Sequence, residues 1–192
     1  MTRSGPQRWR AGRPAPWCQP DGAREAPPWY PARVAEDVDL TDPLVVAVTR
    51  RIDAPASAVF EVLRDPRRHR EFDGSGMLRG CDAPVICAVG DVFVMRMHND
   101  EFGDYEMRNE VVEYVPDAAL TWAPRRHDVA SDNPWNHRWG WHLVPAGDAT
   151  EVTAHFDCTR VPEDGRRILR GGERWRPELE RSLALLEEIV AR

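Results

Sequence analysis

Between residues 77 and 159 the chain is a succession of short β-prone runs separated by turns, with no helical period among them. Few folds accommodate such a stretch. Consecutive strands joined by short turns pair as an antiparallel meander. The runs fall at 77–79, 85–88, 91–98, 105–114, 119–123, 137–144 and 151–159. Val89-Gly90, the segment 100–103, Pro116-Asp117 and the segment 145–148 supply the turn residues between them. A longer polar loop spans 125–134.

Helical patterns bracket this β region. Before it, the β-rich run 44–52 leads into Asp53-Ala54-Pro55, where Asp53 suits an N-cap and Pro55 a first helical turn. Val59, Phe60, Val62 and Leu63 follow at helical spacing until Asp65-Pro66 stops them. A second short helix is expected over 67–72, ended by Gly74-Ser75-Gly76. After the β region, a long helix begins beyond Gly171-Gly172 and runs to about Val190. Trp175, Leu179, Leu183, Leu186, Ile189 and Val190 form its apolar stripe. The expected class is α+β: a curved antiparallel sheet of about seven strands wrapped around the long C-terminal helix, with two short helices after the first strand. A curved sheet cannot touch a straight helix along its whole face, so the space between them is the natural ligand site.

The first 42 residues differ from the rest. They hold seven of the 17 prolines and few aliphatic residues, so they cannot bury enough surface to offset ordering and are expected to be disordered. Trp9, Trp17, Trp29 and Tyr30 are unusual in such a tail. A domain over 43–192 remains. The net charge is −6 and the basic residues are interleaved with acids, which points away from nucleic acid. No run of about 18 apolar residues is present to span a membrane, and no apolar stretch follows the N-terminal arginines as a secretory signal requires. Cys18, Cys81, Cys87 and Cys158 lack zinc-site or disulfide-framework spacing and read as free thiols in a reducing cytoplasm. No metal site and no cofactor is expected; glycine-rich phosphate loops and the common hydrolase motifs are missing.

The segment Val48-Thr49-Arg50-Arg51-Ile52-Asp53-Ala54-Pro55-Ala56-Ser57-Ala58-Val59-Phe60 resembles the opening strand and first helix of START-like (SRPBCC) proteins, the polyketide cyclase/dehydrase and lipid-transport superfamily. Residues 102–117 resemble the middle hairpin of an actinobacterial branch, and the terminal helix agrees. The likeness covers residues 43–192. It implies a bacterial helix-grip domain that binds a hydrophobic or aromatic ligand, lipid-like or polyketide-like. It leaves open whether a reaction is catalysed. The alternative is a cyclase/aromatase-type enzyme acting on a poly-keto chain, and a lesser one is an interaction module with a vestigial cavity. Homodimerisation also stays open.

Strand parity nominates the cavity wall. Phe93, Met95 and Met97 share one face; Tyr105, Met107 and Asn109 another; His137, Trp139 and Trp141 a third. Trp122, Phe156, Trp175 and Leu179 complete the expected ligand-binding set. Tyr105, Asn109 and His137 are the polar members, able to polarise a carbonyl, but no catalytic set is assigned. His98, His142 and His155 alternate outward, and Asp104 goes with His98 to solvent or a subunit contact. The arginines at 166, 167, 170, 174 and 176 are expected on a solvated face, with capture of a ligand carboxylate as the alternative.

Overall fold

The computed structural model describes residues 38–101, 103–126 and 136–191. Seven strands form one antiparallel sheet: β1 (Val45–Ile52), β2 (Leu78–Cys81), β3 (Val92–Asn99), β4 (Gly103–Val115), β5 (Ala119–Arg126), β6 (Arg138–Ala146) and β7 (Ala149–Asp157). Their order is β1-β7-β6-β5-β4-β3-β2. Strands β2 to β7 are thus the expected meander, and β1 adds alongside the last strand, from Val45 opposite Asp157 to Ile52 opposite Thr150. Register shifts at Leu78/Gly80 in β2 and at Val111/Glu113 in β4 are bulges, which bend a sheet and increase its twist.

Helix α1 (Ala56–Leu63) and a 3₁₀ turn (His69–Phe72) follow β1. After β7 come α2 (Glu163–Leu169), a 3₁₀ stretch (Arg170–Trp175) and the long helix α3 (Arg176–Val190). Leu179, Leu183 and Leu186 of α3 are buried at helical spacing. They join Val46 and Ile52 of β1 and Phe60 and Leu63 of α1 in one core. Each such side chain contributes about 1.5–3 kcal/mol by leaving water. This is the helix-grip arrangement: a curved sheet closed over a C-terminal helix.

Several expectations are corrected. The segment 85–88 is not a strand. Its amide groups bond elsewhere, Ile86 N–H to Arg64 O at 2.8 Å and those of Cys87 and Ala88 to Asp91 Oδ2 at 2.7 and 3.0 Å. That tie turns Ile86 into the core, where it is 1% exposed. Asp53 does not cap α1; Pro55 occupies the N-cap position in an extended conformation, and Asp53 sits in solvent near Arg51. Helix α2 was not anticipated, although Pro162 at its N-cap, Glu163 and Asp164 in its first turn and Arg166 and Arg167 in its last suit a helix. Strand β5 runs on to Arg126, into part of the expected loop; the rest of that loop, and the expected disordered tail up to residue 37, lie outside the described residues. Cys81 and Cys158 are free and buried, whereas Cys87 is disulfide-bonded, against the expectation of a free thiol. No described helix is long and apolar enough to cross a membrane.

Candidate functional site

Between the concave face of the sheet and the helices lies a cavity of about 600 Å³. Alternation along the strands carries Met95 and Met97 of β3, Tyr105, Met107 and Asn109 of β4, Trp122 of β5, and Trp139 and Trp141 of β6 onto its wall. His137, just before β6, lines it too, as do Trp175 and Leu179 at the start of α3. Phe93 and Phe156 stand behind this lining, 2% and 1% exposed, and support it. The Phe93 ring meets Trp122 edge-on at 5.8 Å, and Phe156 packs against Trp139 at 4.5 Å.

Beyond Trp175 and Leu179, the residues on the helical side of the cavity were not among those expected. His69 and Phe72 come from the 3₁₀ turn, Ile168 and Leu169 from α2, and Arg174, Glu178 and Ser182 from the last helical segments. His69 stacks on Trp122 with ring centres 5.5 Å apart, and Phe72 meets Trp141 edge-on at 5.7 Å. Only the apolar spacing of His69 and Phe72 hinted at this, because contact between a connector and a sheet depends on the fold as a whole.

Most polar groups on the wall are already used by the protein. The Asn109 amide nitrogen donates to Met107 O at 3.0 Å. His69 Nε2–H donates to Leu63 O at 2.6 Å, which fixes its tautomer, and burial holds this imidazole neutral with its pKa pushed down to about 4. Asp73 accepts from Ser75 N, Ser75 Oγ and Leu78 N at 3.0, 2.6 and 2.7 Å. Tyr105 OH lies 4.0 Å from Met77 Sδ. Three lining atoms differ: His137 Nδ1, Trp175 Nε1 and Glu178 Oε2 are buried without a hydrogen-bond partner among the described residues. Burial also lowers the His137 pKa to about 4, so the ring is neutral at pH 7.

The arginines near α3 do not form one free cationic face. Arg167 pairs with Glu163 at 2.8 Å and Arg176 with Glu173 at 2.7 Å. Arg174 lines the cavity with its guanidinium 4.7 Å over the Trp175 ring.

The opposite face of the sheet carries a second polar group of residues. His98 bonds Asp104 at 2.7 Å near solvent. His155 does alternate away from the cavity, yet it is fully buried there beside Gly140, with neither ring nitrogen partnered among the described residues. Glu113 is buried on the same face and accepts from Thr121 Oγ1 at 2.6 Å, with His142 Nε2 at 3.3 Å. The β4 bulge sends Glu113 outward; unbroken alternation from Asn109 and Val111 would aim it into the cavity.

A family model described as polyketide cyclase / dehydrase and lipid transport matches residues 43–191. An uncharacterized protein of Mycobacterium tuberculosis, Rv0088, is 32% identical over 169 residues, which cover 81% of this chain and 70% of the relative. Among solved structures, a protein from Arthrobacter aurescens superposes with a TM-score of 0.61 at 12% identity, covering 83% of this chain and 91% of its own. The protein NE0264 from Nitrosomonas europaea gives 0.59 at 17% identity, covering 78% and 96%. These structural likenesses speak to the fold alone.

Proposed function

The chain belongs to the polyketide cyclase / dehydrase and lipid transport family, and from that premise we propose that it binds a hydrophobic or aromatic small molecule between the sheet and α3. The observation that carries this reading is the cavity itself. A space of about 600 Å³ has the size range of small-molecule sites, and four Trp, four Met and three Leu side chains line it. Met and Trp suit an irregular, flat or flexible apolar ligand, since one adapts and the other offers a broad face. Titration with a panel of lipids, flavonoids and aromatic polyketides, followed by tryptophan emission, tests it. Saturable quenching or a spectral shift with at least one class is expected. A panel that leaves the emission unchanged would remove the reading.

A second reading is a polyketide cyclase/aromatase-type enzyme acting on a poly-keto or aromatic substrate. It is favoured by the neutral His137 ring and the Tyr105 hydroxyl on the same wall, groups able to polarise a carbonyl held in place by the cavity. On this reading His137→Ala and Tyr105→Phe lower turnover of a poly-keto substrate while the fold persists. Unchanged product profiles in both variants would take these residues out of any mechanism.

A further inference from the structure

We infer that the ligand carries a hydroxyl group, and that this group docks at one corner of the cavity between the Trp175 indole N–H and the Glu178 carboxylate, with His137 Nδ1 as a neighbouring partner. The inference rests on the cavity reading above and specifies its ligand. It starts from an asymmetry among the polar groups of the wall. Asn109, His69 and Asp73 spend their hydrogen-bonding capacity within the protein. The buried atoms Trp175 Nε1, Glu178 Oε2 and His137 Nδ1 have no partner among the described residues, and all three side chains line the cavity. Buried polar atoms in native proteins are nearly always paired, so a cluster of orphans on a cavity wall marks where a ligand's polar atoms belong.

The three residues stand in one corner. The rings of His137 and Trp175 both pack on Phe156, at 5.1 and 6.1 Å. Glu178 lies three residues after Trp175, where the chain enters α3, and residues three apart on a helix share a face. Trp139 meets Trp175 edge-on at 5.4 Å and walls the corner with apolar surface.

The residue types then select the ligand's chemistry. An indole N–H only donates, and an ionised carboxylate only accepts. A hydroxyl can accept from the first and donate to the second. A ketone or ether accepts but cannot donate, and an ammonium donates but cannot accept. A ligand carboxylate would place its charge beside Glu178. What fits is an apolar, ring-bearing molecule with a phenol, enol or alcohol at one end.

The test uses one scaffold with four substituents. The full-length chain is titrated with 2-hydroxyanthraquinone, 2-methoxyanthraquinone, anthraquinone-2-carboxamide and anthraquinone-2-carboxylate, read by tryptophan quenching. The hydroxy compound is expected to bind about ten-fold tighter than the methyl ether, the size of one hydrogen bond to a charged group. In Glu178→Ala that preference falls towards unity, because the acceptor that only the hydroxyl can use is gone, whereas Trp175→Phe weakens the hydroxy compound and the ether alike, since both oxygens accept from the indole N–H. Glu178→Gln offers the ether a donor and narrows the gap from the other side, a response that simple loss of packing does not produce. Circular dichroism and thermal melting check that each variant is folded. Equal binding of hydroxy and methoxy compounds to the native chain overturns the hydroxyl anchor and leaves the cavity reading standing. Tightest binding of the carboxamide or the carboxylate overturns it in favour of a different headgroup. Failure of all four to bind overturns the anchor for a ring-bearing ligand, and the cavity reading then stands or falls on the wider panel of lipids, flavonoids and polyketides alone.

Discussion

The backbone N–H of Gly74 donates to Ser182 Oγ at 2.9 Å, tying the loop after the first 3₁₀ turn to the middle of α3. The approach is so close that a Cβ at Gly74 would lie 2.1 Å from Glu178 O and 2.8 Å from Ser182 N. The obstacle is backbone, so neither side can yield cheaply. Asp73, Ser75 and Ser182 all line the cavity, and this tie therefore sets its edge as well as holding the helix.

Gly74→Ala is accordingly expected to cost about 3 kcal/mol through forced separation of the loop and the helix. Ser182→Ala removes the hydrogen bond but keeps the spacing, and should cost about 1 kcal/mol. Urea unfolding of the two variants compares them directly. Equal, small losses would mean that the loop rides on α3 without being held by it.

Gly172 supplies a sharper comparison because its neighbour serves as the control. Both glycines have positive φ, +64° at Gly171 and +90° at Gly172. A Cβ at Gly171 meets nothing within 4 Å, whereas one at Gly172 would lie 2.7 Å from Phe156 Cδ1. Gly171→Ala should cost about 1–2 kcal/mol for the left-handed backbone alone. Gly172→Ala adds a clash of about 1–3 kcal/mol and pushes Phe156 against Trp139 and His137. Calorimetry of the pair, with ligand titration of whichever variants fold, decides it; identical melting points would show that Phe156 has room to move.

Alternation made one wall of the cavity legible in advance, from Met95 and Met97 to Trp139 and Trp141, because each strand buries one face and the period is two. The stripe of α3 was legible for the analogous reason. What escaped depends on contacts between distant segments. The 85–88 stretch looks like a strand until Asp91 takes two of its amide groups. Glu178 reads as one more surface carboxylate of an amphipathic helix, and only the placement of α3 against the sheet brings it to the wall. His155 was assigned to the outer face correctly, but its burial there follows from Gly140 opposite it, where a Cβ would meet the imidazole at 2.5 Å.

The buried Glu113–Thr121 pair on that outer face predicts a non-additive response. Thr121→Val keeps the shape and removes the hydroxyl that donates to Glu113 Oε2 at 2.6 Å. Leaving a buried carboxylate short of a donor should cost about 2 kcal/mol. Glu113→Leu with Thr121→Val removes both polar partners, so the double variant should lose less than the sum of the single ones. A double-mutant cycle by urea unfolding measures the coupling. Additive losses would mean that the carboxylate draws its stabilisation from elsewhere, His142 being the nearest alternative at 3.3 Å.

Two buried histidines, His69 and His155, and the partly buried His137 together predict a pH dependence of definite sign. Desolvation holds His69 and His137 at a pKa of about 4 and His155 at about 3, against 6.5 for an unhindered imidazole. The folded protein therefore keeps these rings neutral where the unfolded chain would protonate them. Below pH 6.5 the unfolded state binds more protons, so stability falls as pH drops and levels off only near the folded values. Above about pH 7 the three rings contribute no slope. A pKa lowered from 6.5 to about 4 corresponds to roughly 3 kcal/mol per ring, with less from His137, which is less fully covered. Several kcal/mol is a large share of an ordinary domain's stability, about 5–15 kcal/mol, so unfolding should set in as the pH approaches 4. Urea midpoints between pH 7.5 and 5.5 should decline steadily. His155→Leu should flatten the decline by its share, and so should His69→Gln, whose amide can still donate to Leu63 O. A midpoint that does not move across this window would show that the three sites admit water or rearrange to accept the proton.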